Sequence, residues 1–362
     1  MSADSPKIAV AMSGGVDSSV AAALLVQQGY EVIGVMLRLW SEDDCEADNR
    51  CCTPDAIAFA RHVAAILEIP FYVIDARQVF FDEIVTPWIN DYARNLTPNP
   101  CLFCNKKIRW QFLLDRASAL GANHLATGHY AQIKKDSSGK YILTQAVDRD
   151  KDQSYVLHIL DQTKLSRTFL PIGGYTKPQV RKMAHEFGLP VAERPDSQDL
   201  CFLGNKSYHN FLVSHLPEIH NPGAIIDSQG KKIGEHDGLA FFTIGQRKGI
   251  KIAASVPLYV LAKDDQSNSV IVGSIQELGN NGLIAKNVNW ISGIMPEQAF
   301  RASIKNRYRT DKTQAIVEPK IGGTVRIKFD ELIRDITPGQ AVVFYQEDIC
   351  LGGGMIQSSF KG

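Results

Sequence analysis

KIAVAMSGGVDSSVAAALLVQQG, residues 7–29, decides how the first half of this chain folds. Lys7 to Met12 reads as a short buried strand, and VAAALLVQQ reads as a helix that closes at Gly29. Between them lies a turn with two adjacent glycines and three serines, and the expected helix N-terminus falls at Ser18–Val20. Gly14 and Gly15 let the backbone come close to an anion. Loop amides, serine hydroxyls and the positive end of a helix dipole then supply donors. Asp17 is the odd member, because a carboxylate beside phosphate repels it unless Mg²⁺ bridges the two. The loop has neither the Gly-Lys-Ser/Thr of a Walker motif nor dinucleotide-fingerprint spacing. A plain Gly-Gly turn with a polar helix cap is the competing reading.

The same alternation continues outward. Glu31 to Leu37, Phe71 to Ile74 and His124 to Thr127 read as further strands, with helical stretches over 54–69 and 105–120. Repeated βα units predict a parallel sheet covered on both faces. A helix at Tyr208 to Leu216 follows, and then turns dominate (NPG, DSQG, EHDG, KDDQSN) around short runs such as GAIID, LAFFTI and PLYVLA. From about residue 282 strands recur as LIAKNVNWI, FRASIKNRY, TQAIVEP, GTVRIKFD, QAVVFYQ and ICLGGGMI. The expected organisation is an α/β domain over 1–205, a small β-rich antiparallel domain over 206–280 and a barrel-like β domain over 281–362.

Composition agrees with a globular chain: 362 residues, 44% hydrophobic and 22% charged, which excludes disordered, collagen-like and coiled-coil classes. No apolar run approaches the ~20 residues of a membrane span. MSADSPK at the start has no apolar core of the signal-peptide kind. A cytoplasmic protein with no membrane partner is expected. Net charge is zero, yet residues 1–100 carry 6 Lys/Arg against 14 Asp/Glu, and the remainder carries 33 against 25. An anionic polymer has a basic region on which to dock.

Seven cysteines without a secretory leader argue for thiol chemistry or metal ligation rather than a disulfide scaffold. PNPCLFCNKK (98–107) places Cys101 and Cys104 at a Pro-rich helix entry beside Lys106 and Lys107, where thiolate is favoured. PDSQDLCF (195–202) places Cys201 in a polar loop. Three uses remain open for Cys101, Cys104 and Cys201: a zinc site needing a fourth ligand, a three-cysteine iron–sulfur cluster, or a dithiol pair handling sulfur. Cys45, Cys51 and Cys52 lie in an acidic stretch and are expected to be non-catalytic, and Cys350 reads as a core residue.

The turn resembles the SGGxDS signature of PP-loop ATP pyrophosphatases, which cleave ATP between the α and β phosphates. With the cysteine motifs and TPNPCLFCNKKIRW, ATGHYA, KDQSYVL, KPQVRK, DSQDLCFLG, TIGQRKG, RYR and TPGQAVVFY in this order, the chain resembles the bacterial tRNA 2-thiouridylase family along essentially its whole length. The resemblance implies a PP-loop catalytic domain. It implies ATP-dependent adenylation of the C2 oxygen of the wobble uridine in tRNAs for Lys, Glu and Gln, then sulfur delivery from a cysteine persulfide. Ala11, Met12, Ser13, Gly14, Gly15, Val16, Asp17 and Ser18, with Leu37 and Gly128, would hold ATP, and Asp17 would hold Mg²⁺. Cys104 stands at the nucleophile position and Cys201 at the persulfide position. Asn99, Pro100 and Cys101 would lie beside the target base. His129, Lys151, Asp152, Gln153, Arg307, Tyr308 and Gln340 match positions that touch tRNA. A cysteine desulfurase or persulfide relay protein is the implied sulfur donor. Some members carry Asp where this chain has Cys101, so the iron–sulfur alternative stays open. Rival functions are an amide-forming PP-loop ligase and a non-catalytic tRNA-binding protein.

Overall fold

The computed structural model describes residues 6–42, 54–195, 200–204 and 207–361. Strand β1 (Lys7–Ala11) pairs in parallel with β2 (Glu31–Arg38) on one side and with β4 (His124–Ala126) on the other, and β2 pairs with β3 (Phe71–Asp75). The short strand Thr168–Phe169 completes the order β3-β2-β1-β4 at its far edge. Chain alternation sorts β1 between two cores. Ile8 and Val10, with Met12 just beyond, pack under helix α1 (Val16–Gln27), whereas Ala9 faces the opposite side with Trp110 and Leu125. Period-2 sorting of this kind is what a sheet buried on both faces requires.

The middle of the chain forms a four-stranded sheet in the order Tyr259–Asp264, Ser269–Gly273, Gly223–Asp227, Lys232–His236. It is not purely antiparallel as expected, because Ser269–Gly273 runs parallel to Gly223–Asp227. LAFFTI is not a strand either: Leu239–Phe241 makes one 3₁₀ turn, and its apolar side chains are buried in the core shared with Phe202 and Phe211. A buried apolar run carries no period, so helix and strand cannot be told apart there.

Beyond residue 280, six strands close on themselves, since Asn280–Trp290 pairs with both Thr324–Ile333 and Ile349–Phe360. Closure removes the sheet edges. Sequence reading missed the hairpin Ala131–Lys135/Tyr141–Gln145, which extends this sheet through Leu143 opposite Cys350 and Thr144 opposite Ile349. A strand pair from the first half of the chain is thus sewn to the barrel. No helix among the described residues is long and apolar enough to cross a membrane.

Candidate active site

Helix α1 begins at Val16 with Gly15 as its N-cap, two residues earlier than the sequence predicts. The hydroxyls of Ser18 and Ser19 donate back to the Gly15 carbonyl at 3.3 and 2.8 Å, and the Ser13 amide donates to the Ser18 hydroxyl at 3.2 Å. These bonds tighten the turn so that Asp17, Ser18 and Ser19 lie inside the first helical turn. Gly14 sits at φ +69°, and a Cβ there would stand 2.4 Å from the Ala56 carbonyl oxygen. Gly128, just beyond β4, presses on the start of α1: a Cβ would lie 2.6 Å from the Ser18 nitrogen. Leu37 stands one residue before the end of β2, packed against two hydrophobic cores. Ala11 closes β1, with Met12 and Val16 buried beneath the loop. The ten residues named for the nucleotide therefore gather at the carboxyl ends of parallel strands, where open α/β sheets bind ligands.

Two cations converge there that sequence reasoning left without a role. Lys177 Nζ donates to both Asp17 oxygens at 2.7 and 2.9 Å, and the Tyr130 hydroxyl donates to the same carboxylate at 2.8 Å. Arg194 donates to the Gly14 carbonyl at 2.6 Å while lying over the Phe59 ring. The signal for Lys177 was KPQVRK following Thr176, whose capping box with Gln179 starts the helix Lys177–Glu186.

The cysteine segment enters its helix earlier than expected as well. Asn99 caps it, accepting from the Cys101 amide at 3.1 Å, with Pro100 at the first helical position. The helix runs through 100–119, winding as a π-helix over Cys104–Leu113. Cys101 is exposed in the first turn; Cys104, one turn on, is half-buried. Cys104 and Cys201 pack against one aromatic core containing Phe80, Trp88, Phe202 and Phe211. Cys350 is buried, as expected, and burial pushes its thiol well up. Cys45, Cys51 and Cys52 lie outside the described residues.

Among the described residues no three His, Cys, Asp or Glu side chains gather to hold a metal ion. Cys101, Cys104 and Cys201 therefore do not form the converged thiolate set that a zinc site or an iron–sulfur cluster needs.

The positions matched to tRNA contacts divide in two. His129 is buried, its Nδ1 2.8 Å from the Thr127 hydroxyl, and desolvation pulls its pKa down to about 3. Asp152 is also buried, accepting from the Ala146 amide, the Gln145 amide group and the Ser154 hydroxyl. Gln153 accepts from the Tyr130 amide, and Lys151 is half-buried next to them. The second group surrounds the cysteine segment. Gln340 donates to the Thr97 carbonyl at 2.7 Å. Arg307 donates to the Ile244 carbonyl and the Thr337 hydroxyl. Tyr308 stands against Tyr155 and within electrostatic reach of Cys101; burial raises its pKa. Barrel and middle sheet thus clasp the segment that leads into Asn99, Pro100 and Cys101.

Fold and loop define the class: an α/β unit with a glycine-rich loop at the start of its first helix, and two β units appended. Residues 6–205 match the model for the tRNA methyl transferase HUP domain, 209–274 that for its PRC-barrel domain, and 280–356 that for the aminomethyltransferase beta-barrel domain. The chain is 46% identical over 353 residues to the tRNA-specific 2-thiouridylase MnmA of Moorella thermoacetica, covering 96% of this chain and 99% of that one. It is 44% identical to the Natranaerobius thermophilus protein of the same name (97% of each chain) and 43% to that of Clostridioides difficile (98% of each). The chain belongs to the tRNA-specific 2-thiouridylase family.

Proposed function

We propose that this chain is a tRNA-uridine 2-sulfurtransferase that spends ATP to exchange the C2 oxygen of the wobble uridine for sulfur in tRNAs for Lys, Glu and Gln. The loop Ser13–Ser18 binds the ATP phosphates through the amides at the start of α1, and Leu37 and Gly128 flank the adenosine. Attack of the uridine O2 on the α-phosphate releases pyrophosphate and leaves an O2-adenylated base, so that AMP becomes the leaving group. Mg²⁺ arriving with the nucleotide would supply charge neutralisation between the phosphates and Asp17, whose oxygens Lys177 balances meanwhile.

The terminal sulfur of a Cys201 persulfide attacks C2, and AMP departs with the former uridine oxygen. The Cys104 thiolate then attacks the Cys201 sulfur, releasing the thiocarbonyl and leaving a Cys104–Cys201 disulfide that an external thiol reduces. A cysteine desulfurase or a persulfide relay protein reloads Cys201. The family-model descriptions speak of methyl transfer and the relatives' names of thiolation; the similarity to those relatives along nearly the whole chain favours sulfur.

The observation that carries this reading is the packing of Cys104 and Cys201 on one core, against which Leu37 also packs. Nucleoside mass spectrometry of tRNA incubated with enzyme, ATP, a cysteine desulfurase with its cysteine substrate and a thiol reductant tests it. Wild type should yield 2-thiouridine with stoichiometric AMP and pyrophosphate. Cys201→Ser should lose at least a hundredfold of thiolation while still binding tRNA. Wild-type thiolation by that variant removes Cys201 from the mechanism.

A further inference from the structure

At the carboxyl ends of β2 and β3 a depression of about 510 Å³ is lined by Trp40, Asp75, Arg77, Gln78, Phe112 and Arg116. Its residues come from three separate elements. Trp40 follows β2 and is buttressed edge-to-face by Phe81 at 5.0 Å. Asp75 ends β3 and holds Arg77 in a two-pronged pair, with contacts at 2.5 and 3.0 Å. Phe112 and Arg116 lie on the helix 100–119, the guanidinium 5.2 Å from the ring centroid. Paired with Arg77 and facing Arg38, Asp75 stays ionised, its pKa lowered to about 2.

We infer that this depression is a second RNA subsite, binding one unpaired nucleotide of the tRNA loop that carries the target uridine. The inference rests on the proposed function above. The chemistry is that of single-stranded RNA recognition: aromatic faces and guanidinium planes for a base, and the exposed Arg116 for its phosphate. Charge favours a nucleic acid over a protein partner. The helix that joins the depression to Cys104 exposes or half-exposes Lys106, Lys107, Arg109 and Arg116 against one acid of its own, Asp115, with Lys107 paired to Glu83 at 3.5 Å. Its spacing fits a neighbour of the target base. Phe112 is eight residues beyond Cys104 in the same π-helical stretch, about two turns along it and a span of a few stacked nucleotides.

Arg116→Glu and Phe112→Leu test the site, since the first residue is exposed and the second swap keeps bulk. Arg116→Glu should raise Kd for tRNA about tenfold or more and cut the salt dependence of binding by about one phosphate contact. Phe112→Leu should weaken binding severalfold, and the KM for ATP should stay as in wild type. Wild-type affinity in both variants while wild-type enzyme makes 2-thiouridine overturns the subsite and leaves the function standing. Arg116-dependent tRNA binding by a protein that makes no 2-thiouridine keeps the subsite and fails the function. A changed KM for ATP assigns the depression to the nucleotide and overturns the inference. So does a loss seen only with a protein sulfur donor and not with a small-molecule persulfide, which makes it a protein-docking surface.

Discussion

Asp17 shows how one residue's role depends on partners far away in the chain. Beside phosphate it is a liability, yet its two oxygens already carry Lys177 and Tyr130, 160 and 113 residues distant. Nothing in SGGVDSS announces either partner, although the glycines do announce the turn. Gly128 is the sharper test at this scale. An added methyl would meet the Ser18 nitrogen at 2.6 Å and the Asp17 carbonyl carbon at 2.7 Å, both backbone atoms that cannot swing aside. Gly128→Ala should cost about 1–3 kcal/mol of stability by overpacking and raise the KM for ATP at least tenfold, as the loop amides move off the phosphates. Isothermal titration with ATP and a urea melt measure the two effects, and unchanged ATP affinity refutes the assigned position of the loop.

Among the elements, the helix 100–119 carries the most chemistry, and its start was misjudged by five residues. Pro98, Asn99 and Pro100 read as a loop because Pro lacks a donor, but that same feature suits Pro100 to the first helical position and Asn99 to the cap. Asn99→Ala should therefore destabilise by about 1 kcal/mol. It should also speed alkylation of Cys101, whose amide loses its acceptor, while Asn99→Asp should behave as wild type. Thiol-labelling rates followed by peptide mass spectrometry read this out; equal rates in all three proteins refute the cap. The missed hairpin 131–145 is a second lesson at this scale. Its strands carry mixed polarity because one of them, Tyr141–Gln145, is satisfied by a barrel strand 200 residues on.

Across the whole molecule, buried neutral histidines set the response to acid. His158 lies at the seam of α/β unit and barrel, its Nδ1 2.7 Å from the Tyr155 carbonyl, where desolvation lowers its pKa to about 4; His129 is lowered further, to about 3. Unfolded histidines bind protons near pH 6.5, so between there and pH 4 the unfolded chain takes up protons that the native chain refuses. Stability should thus be complete above about pH 6.5 and fall by several kcal/mol toward pH 4. Urea midpoints measured at half-unit pH steps should show that slope, and His158→Asn should flatten it. A slope identical in the variant refutes the assignment to His158. The clasp around residues 95–101 belongs to this scale too: Gln340 and Arg307 spend their donors on the Thr97, Ile244 and Thr337 oxygens, holding three units together.

By itself the chain's pattern determined the parallel sheet, the glycine turn over its edge, the barrel strands and the burial of Cys350. Those features are local, set by side-chain period, backbone freedom and thiol placement within a few residues. Only the tertiary structure decided that Lys177 and Arg194 attend the loop, that Cys104 shares a core with Cys201, and that the hairpin joins the barrel. Such pairings depend on contacts between residues as much as 207 apart, and a linear pattern holds no record of which distant groups will satisfy a buried charge or an open strand edge.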